Sequence, residues 1–108
     1  MKILGIETSC DETAAALVDC SGELVEPHFR VISNAIFSQI TIHAPFGGVV
    51  PSLAKKAHTE NLPTVVEKAL SDAKCQVSTI DAIAVTYGPG LEPALWQGIT
   101  YAQTLATK

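Results

Sequence analysis

A polar turn near the start of the chain carries residue types that could do chemistry. Residues 7–13 spell ETSCDET and place three carboxylates and three hydroxyls between two apolar runs. Hydroxyl and backbone N–H groups of such a turn can bind phosphate oxygens, and Asp11 or Glu12 could bind a metal, orient a water or accept a proton. Neighbouring strand residues face opposite sides, so a paired-carboxylate site is not favoured. By residue type alone, a functional turn and an ordinary solvated turn fit equally well.

Cys10 lies in the middle of this turn and is a candidate nucleophile. No histidine lies near it in the sequence to act as its base, so a packed or turn cysteine is favoured. The three cysteines, at positions 10, 20 and 75, form no C-x-x-C pair and predict neither a disulfide framework nor a zinc knuckle. This pattern suits a reducing cytoplasm.

A second candidate site is the tight turn Gly88-Pro89-Gly90, which follows an apolar run and precedes a helical pattern. Glycines let the backbone approach a ligand, and the N-terminus of the following helix offers free N–H groups to an anion. The turn matches neither a Walker A loop nor a G-x-G-x-x-G fingerprint. On this pattern alone, a purely geometric need for glycine is favoured over an anion site.

A third candidate is the loop predicted over residues 43–51, HAPFGGVVP, in which two prolines and a Gly-Gly pair exclude regular structure. His28, His43 and His58 are spaced fifteen residues apart, which matches no local metal-ligand pattern. We therefore expect none of the three histidines to be a metal ligand.

Composition limits the function classes. The 108 residues suit one small domain, and 47% hydrophobic residues predict a packed core. Seven basic against eleven acidic residues give a net charge of −4, which disfavours nucleic-acid binding by this chain alone. The first apolar run stops at Glu7, too short for a signal segment or a membrane span.

Hydrophobic periodicity predicts the elements that position these residues. Alternating runs predict three antiparallel strands in a meander, and steps of three and four predict helices, with Pro63 kinking or restarting the first helix. The predicted elements are strands over 3–7, 14–18 and 31–42, a helix over 52–74, a strand over 81–87 and a helix over 91–107. The order is β-β-β-α-β-α, an α/β arrangement.

A helix that follows a strand in an α/β fold normally crosses over to another parallel strand, and none follows the last helix here. We therefore expect an unfinished sheet. Apolar surface should remain uncovered on the last helix and on an edge strand, which would favour self-association.

Three long strings, GIETSCDETAAA, HAPFGGVVPSLAKKAH and TYGPGLEPALWQG, together closely resemble the bacterial TsaD family, once called glycoprotease. The resemblance implies the actin-like ATPase fold of sugar kinases, heat-shock chaperones and actin. It implies that residues 1–108 are the incomplete N-terminal half of that fold, a partial domain that stops before the metal-binding segment.

The resemblance also implies an activity. The family transfers threonylcarbamoyl from threonylcarbamoyl-adenylate to N6 of the adenosine next to the anticodon, in tRNAs that read codons beginning with A. Asp11 and Glu12 are then the implied catalytic residues. The implied substrate-binding residues, for the adenylate or ATP, are Ser9, Cys10, Gly88, Pro89 and Gly90.

The family's metal, iron or zinc, needs an H-x-x-x-H pair that this chain lacks, so this chain holds no metal site and should be inactive alone. Many relatives carry Glu where this chain has Ser52, and a role for that carboxylate does not carry over.

The resemblance implies a cytoplasmic protein with no membrane contact and with three partners. These are a TsaB-like paralogue bound through the helix over residues 91–107, a TsaE-like ATPase, and tRNA as the substrate of the complex. The alternatives are a non-catalytic TsaB-like protein, a stand-alone interaction module and a metalloendopeptidase. Asp11, Glu12 and the HAPFGGVVP loop favour TsaD over TsaB, and the endopeptidase would need the absent metal pair.

Overall fold

The computed structural model describes residues 1–23 and 25–107 as a four-stranded sheet with helices packed on it. Leu24 and Lys108, the last residue of the predicted domain, lie outside the described residues. The strands are β1 (Lys2–Glu7), β2 (Glu12–Gly22), β3 (Pro27–Ser38) and β4 (Ala82–Val85). The helices are α1 (Ile40–His43), α2 (Pro51–Asp72) and α3 (Glu92–Ala106), with 3-10 turns at Ala44–Phe46 and Val77–Thr79.

The sheet order is β3-β2-β1-β4. The strands β1, β2 and β3 pair antiparallel in sequence order, which confirms the predicted meander. After α2 the chain returns as β4, which pairs parallel to β1 at the other edge. The carboxyl ends of β1 and β4 therefore lie side by side.

The core lies between one face of the sheet and the helices. Alternate residues of the strands, such as Leu4, Ile6 and Leu17, are buried there because successive strand residues point to opposite faces. The helix α2 packs over β2 and β3, and α3 packs over β1 and β4. The buried cluster consists of Leu4, Ile6, Ala15, Leu17, Ala35, Leu62, Val65, Val66, Ala69 and Ala102.

The prediction that the third strand runs to residue 42 was wrong. The strand β3 ends at Ser38, and Ile40–His43 forms a short helix. The Gln39 carbonyl accepts the N–H groups of Ile42 and His43, at 3.0 and 3.2 Å, so local hydrogen bonds turn the chain despite its β-branched residues. The loop predicted over residues 43–51 also contains the 3-10 turn, and its Pro51 begins α2.

Of the two outcomes predicted at Pro63, a restart of the helix was wrong, because α2 is one helix from Pro51 to Asp72. Pro63 is exposed, whereas Leu62, Val65 and Val66 beside it are buried in the core. On the exposed side, water can satisfy the carbonyl that loses its N–H donor. Packing of the buried residues on both sides of Pro63 then stabilises the continuous helix.

Apolar side chains remain exposed where the sequence predicted them, on the last helix and on an edge strand. Trp96 of α3 is 50% exposed, and the edge strand β3 exposes Phe29, Val31 and Ile36. Leu105, also on α3, packs against the core. Self-association through these residues stays a prediction.

One substitution tests how tightly α3 packs on β1. A Cβ added at Gly98 would lie 2.6 Å from Thr8 Oγ1, so Gly98→Ala should displace the Thr8 side chain. Overpacking costs about 1–3 kcal/mol, more than the ~1 kcal/mol that alanine gains over glycine in a helix. We expect the free energy of unfolding, measured by urea denaturation, to fall. In a Thr8→Ala background the same substitution should be neutral or stabilising, whereas additive effects would contradict this packing.

Candidate functional site

The two candidate turns are residues 7–13, the first turn, and residues 88–90, the glycine turn. They meet at the carboxyl ends of β1 and β4. The Thr86 N–H donates to the Ile6 carbonyl at 3.0 Å, which extends the parallel pairing to the ends of β1 and β4. Beyond these strand ends, the Leu91 N–H donates to the Ser9 carbonyl at 2.8 Å. Ligands of open α/β sheets bind outside the carboxyl ends of parallel strands, and both turns lie there.

Gly90 lies against the backbone of the first turn. A Cβ at Gly90 would lie 2.7 Å from the Ser9 carbonyl oxygen, 2.8 Å from Ser9 Cβ and 3.1 Å from Ser9 Cα. Real Cβ atoms do not approach this closely, so the contact requires glycine. A Cβ at Gly88 would meet nothing within 4 Å, and the Gly88–Pro89 peptide bond is cis. The geometric need for glycine therefore applies to Gly90. Gly88 and Pro89 are exposed at the same end of the sheet.

Thr8 joins the first turn to α3. Its fully buried hydroxyl donates to the Ala94 carbonyl at 2.8 Å and accepts the Gly98 N–H at 3.1 Å. Sequence reasoning missed this residue. The signal was present, because Thr8 continues the inward alternation of Leu4 and Ile6.

The carboxylates of the first turn do not converge. The Glu7 carboxylate accepts the Ser9 N–H, and so caps its own turn. Asp11 is half-buried immediately before β2, whereas Glu12 is exposed as the first residue of that strand. Thr13 is buried toward the helices, so strand alternation puts Glu12 on the opposite face. Asp11 is therefore the less exposed of the two carboxylates that the resemblance implies as catalytic, and Glu7 is the one held by a hydrogen bond.

The thiol of Cys10 is disfavoured as a nucleophile. Burial raises the pKa of Cys10 above its ordinary value, and the charges of Asp11 and Glu7 raise it further. A thiol with a raised pKa holds little thiolate at neutral pH, and the thiolate is the reactive form. Cys10 can border a ligand without attacking it.

An alkylation experiment tests this environment. The rate at which iodoacetamide labels Cys10, followed by mass spectrometry of its peptide, should rise with pH with a midpoint above that of a free cysteine. The reason is that burial and the two neighbouring carboxylates disfavour the thiolate. A cysteine in an unstructured peptide of the same local sequence is the control. A midpoint below that of the peptide would contradict the assignment.

Two further polar side chains lie buried behind the first turn. His43 is 4% exposed and His58 is fully buried, and both bond to protein groups. Burial lowers the pKa of His58, which favours the neutral imidazole, although the Cys10 carbonyl and nearby acidic charges oppose this shift. Sequence reasoning rejected these histidines as ligands but did not place them near the turn. The signal was the four-residue step of Ala54, His58 and Leu62 on the buried side of α2.

A metal centre does not form from the side chains of residues 1–23 and 25–107. No group of three or more His, Cys, Asp or Glu side chains among them could hold a metal ion. His43 and His58 direct their ring nitrogens to protein partners. The described side chains therefore do not fit the iron or zinc that the resemblance implies. Within the same described ranges, no helix is long and apolar enough to cross a membrane.

Solved structures identify the class of fold. YeaZ from Pseudomonas aeruginosa superposes with a TM-score of 0.60 at 24% identity, over 98% of this chain and 38% of that one. A second structure, of an uncharacterised protein with similarity to the peptidase YeaZ from the same species, matches with the same scores. The chain thus has the predicted α/β, actin-like ATPase fold.

Sequence comparison identifies the family. A family model described as TsaD, tRNA N6-adenosine threonylcarbamoyltransferase, matches residues 30–108. Proteins of that name from Brucella anthropi and Thermosipho melanesiensis are 50% and 48% identical over 98% and 100% of this chain. The chain belongs to the TsaD family, as its three strings indicated. It spans 29% and 31% of the length of these two relatives.

Proposed function

We propose that this chain supplies the N-terminal part of an enzyme that transfers threonylcarbamoyl from threonylcarbamoyl-adenylate to N6 of the adenosine next to the anticodon. Family membership gives the reaction class. The observation that carries the proposal is the 2.8 Å hydrogen bond from Leu91 N–H to the Ser9 carbonyl, which joins two of the family-like strings at one sheet edge. Residues 1–108 then form a partial N-terminal domain of the larger enzyme.

The turns supply binding groups for the adenylate. The Ser9 hydroxyl and the remaining backbone N–H groups at the N-terminus of α3 are proposed to bind its phosphate, although Pro93 there has no N–H and the Glu92 carboxylate opposes an anion. Gly88, Pro89 and Gly90 expose backbone at the same edge, and Cys10 borders it as a protonated thiol. Holding phosphate and carbonyl in fixed geometry is the main contribution available to such a site.

Asp11 is proposed to orient or deprotonate the adenosine N6 amine. N6 attacks the threonylcarbamoyl carbonyl carbon, a C–N bond forms, the C–O bond to the phosphate breaks, and AMP leaves. N6 must lose one proton in this step, and the half-buried Asp11 carboxylate can accept it or orient the amine. Glu12 is exposed on the opposite face of the strand, so its proposed part is a longer-range electrostatic one and not contact with the amine.

The metal of the family is proposed to bind outside this chain, because the described residues contain no donor set for it. For the same reason the chain alone is proposed to be inactive. The completed enzyme is proposed to act in the cytoplasm.

The helix over residues 91–107 is proposed to bind a TsaB-like paralogue. Support comes from Trp96, 50% exposed on α3, and Tyr87, 81% exposed beside it. These two side chains line a shallow cavity of about 210 Å³ with Glu92, Leu95 and Ile99. Exposed aromatic residues around a shallow cavity are typical of protein interfaces. A TsaE-like ATPase and tRNA complete the proposed set of partners.

The alternatives are less well supported. A TsaB-like role is disfavoured because identity is 48–50% to TsaD relatives but 24% to YeaZ, which is TsaB-like. An endopeptidase would need a metal pair, and no group of three or more His, Cys, Asp or Glu side chains among residues 1–23 and 25–107 could hold a metal ion.

A hybrid enzyme tests the proposal. Residues 1–108 replace the matching segment of the Thermosipho melanesiensis relative, to which they are 48% identical. With tRNA, threonylcarbamoyl-adenylate and the relative's partner proteins, the hybrid should modify tRNA, and the isolated chain should not. The native relative is the positive control. A folded but inactive hybrid, or turnover by the isolated chain, would contradict the proposal.

A further inference from the structure

A chain of buried and partly buried hydrogen bonds runs from residues 43–51, the glycine-rich segment, to the turn at residues 7–13. At one end, the Val50 N–H donates to His43 Nδ1 at 3.1 Å. His43 Nδ1 is therefore an acceptor, and Nε2 of this neutral ring carries the proton. Nε2 lies 2.8 Å from Gln39 Oε1 and donates to it. The Gln39 backbone N–H in turn donates to the Asp11 carbonyl at 2.8 Å.

At the other end, His58 holds the peptide that joins Cys10 to Asp11. His58 Nε2 lies 2.9 Å from the Cys10 carbonyl oxygen, which can only accept, so Nε2–H is the donor. His58 Nδ1 then accepts from the Thr13 hydroxyl at 2.8 Å. The Gln39 amide nitrogen lies 3.4 Å from both ring nitrogens and can donate, at the limit of hydrogen-bond distance, only to Nδ1, because Nε2 carries the proton. Both histidines are in the Nε2–H tautomer.

These groups are shielded from water. Thr13, Gln39 and His58 are fully buried and His43 is 4% exposed. Among the described residues, every buried side-chain nitrogen and oxygen has a hydrogen-bond partner. A satisfied polar network fixes geometry more narrowly than an apolar core does, because each member has few alternative partners. The hydrogen bond from His58 to the Cys10 carbonyl and the hydrogen bond from the Gln39 N–H to the Asp11 carbonyl lie on the two sides of Asp11 in the main chain.

We propose that His58 is a positioning residue for threonylcarbamoyl transfer, which holds the Cys10–Asp11 peptide so that the Asp11 carboxylate faces the reacting amine. His58 touches no substrate in this assignment and acts through the Cys10 carbonyl. Thr13 selects its tautomer, and Gln39 links it to the glycine-rich segment. The inference rests on the proposed function and extends it to a residue behind the site.

Variants of the hybrid enzyme test this role. His58→Leu removes both hydrogen bonds at similar volume, whereas His58→Gln keeps an N–H donor for the Cys10 carbonyl. We expect His58→Leu to lower kcat about tenfold to a hundredfold with little change in KM for tRNA, because small misplacements of a reacting group have effects of that size. His58→Gln should recover most of that loss. Thr13→Ser should likewise keep kcat, and Thr13→Val should lower it.

The assays are run below the melting temperature of every variant, so a mere loss of folding does not lower kcat. An active hybrid in which His58→Leu keeps the parent kcat would overturn the inference and leave the proposed function intact. Equal losses in His58→Leu and His58→Gln would also overturn it, since they would indicate a packing role alone. An inactive parent hybrid would overturn the proposed function, and with it the role of His58 in transfer.

Discussion

Asp11→Asn in the hybrid enzyme should lower the rate of threonylcarbamoyl transfer by about two to four orders of magnitude, the range for removing a positioned acid or base. Asparagine has the shape of aspartate but cannot accept a proton from N6. The main chain of Asp11 keeps its hydrogen bond from Gln39, so the fold should be retained. The measurement is single-turnover transfer to tRNA with saturating threonylcarbamoyl-adenylate.

Glu67→Gln provides the matched control. Glu67 is exposed on α2, away from the first turn, and its substitution removes the same unit of charge. It should leave the transfer rate unchanged. If Asp11→Ala combined with Glu12→Ala left the rate at the parent value, neither carboxylate would have the role proposed here.

Gly90→Ala should have the second-largest effect, because the added Cβ meets backbone rather than a movable side chain. The Ser9 carbonyl oxygen would lie 2.7 Å from it, so the glycine turn and the first turn must move apart. Overpacking of this kind costs about 1–3 kcal/mol of stability. A displacement of about 1 Å between binding groups costs roughly a hundredfold in rate. Both the melting temperature and kcat of the hybrid should therefore fall.

Gly48→Ala is the control for this prediction. A Cβ at Gly48 has nothing within 4 Å, and its backbone is outside the left-handed region that requires glycine. This variant should keep stability and activity, and removing one glycine's freedom in the unfolded chain should stabilise it slightly if anything. Gly90→Ala with parent stability would show that the two turns do not pack as described.

Local patterns were sufficient to predict most of the fold. Apolar residues alternate in β1 and β2 and recur at steps of three and four in α2 and α3. These patterns follow from which face of each element is buried, so they can be read from the sequence. The errors lie where tertiary or short-range hydrogen bonds override propensity. Gln39 turns the chain out of β3, and core packing carries α2 through Pro63.

The site was predicted in its parts but not in its assembly. The strings around Ser9 and Gly90 were recognisable, yet their contact depends on the parallel pairing of β1 and β4, which joins residues about eighty positions apart. The hydrogen bonds among Gln39, His43 and His58 could not be predicted from the sequence either. Its members are linked by how α2 lies on the sheet, and no spacing rule within the sequence encodes that geometry.

The central claim is that the first turn and the glycine turn form one binding surface for the adenylate. The most direct test is amide NMR of the hybrid enzyme with 15N label confined to residues 1–108, titrated with threonylcarbamoyl-adenylate. The amides of Ser9, Cys10, Gly90 and Leu91 should shift together with one dissociation constant. Saturable shifts confined to other residues of an active hybrid, with these four amides unmoved, would contradict the claim.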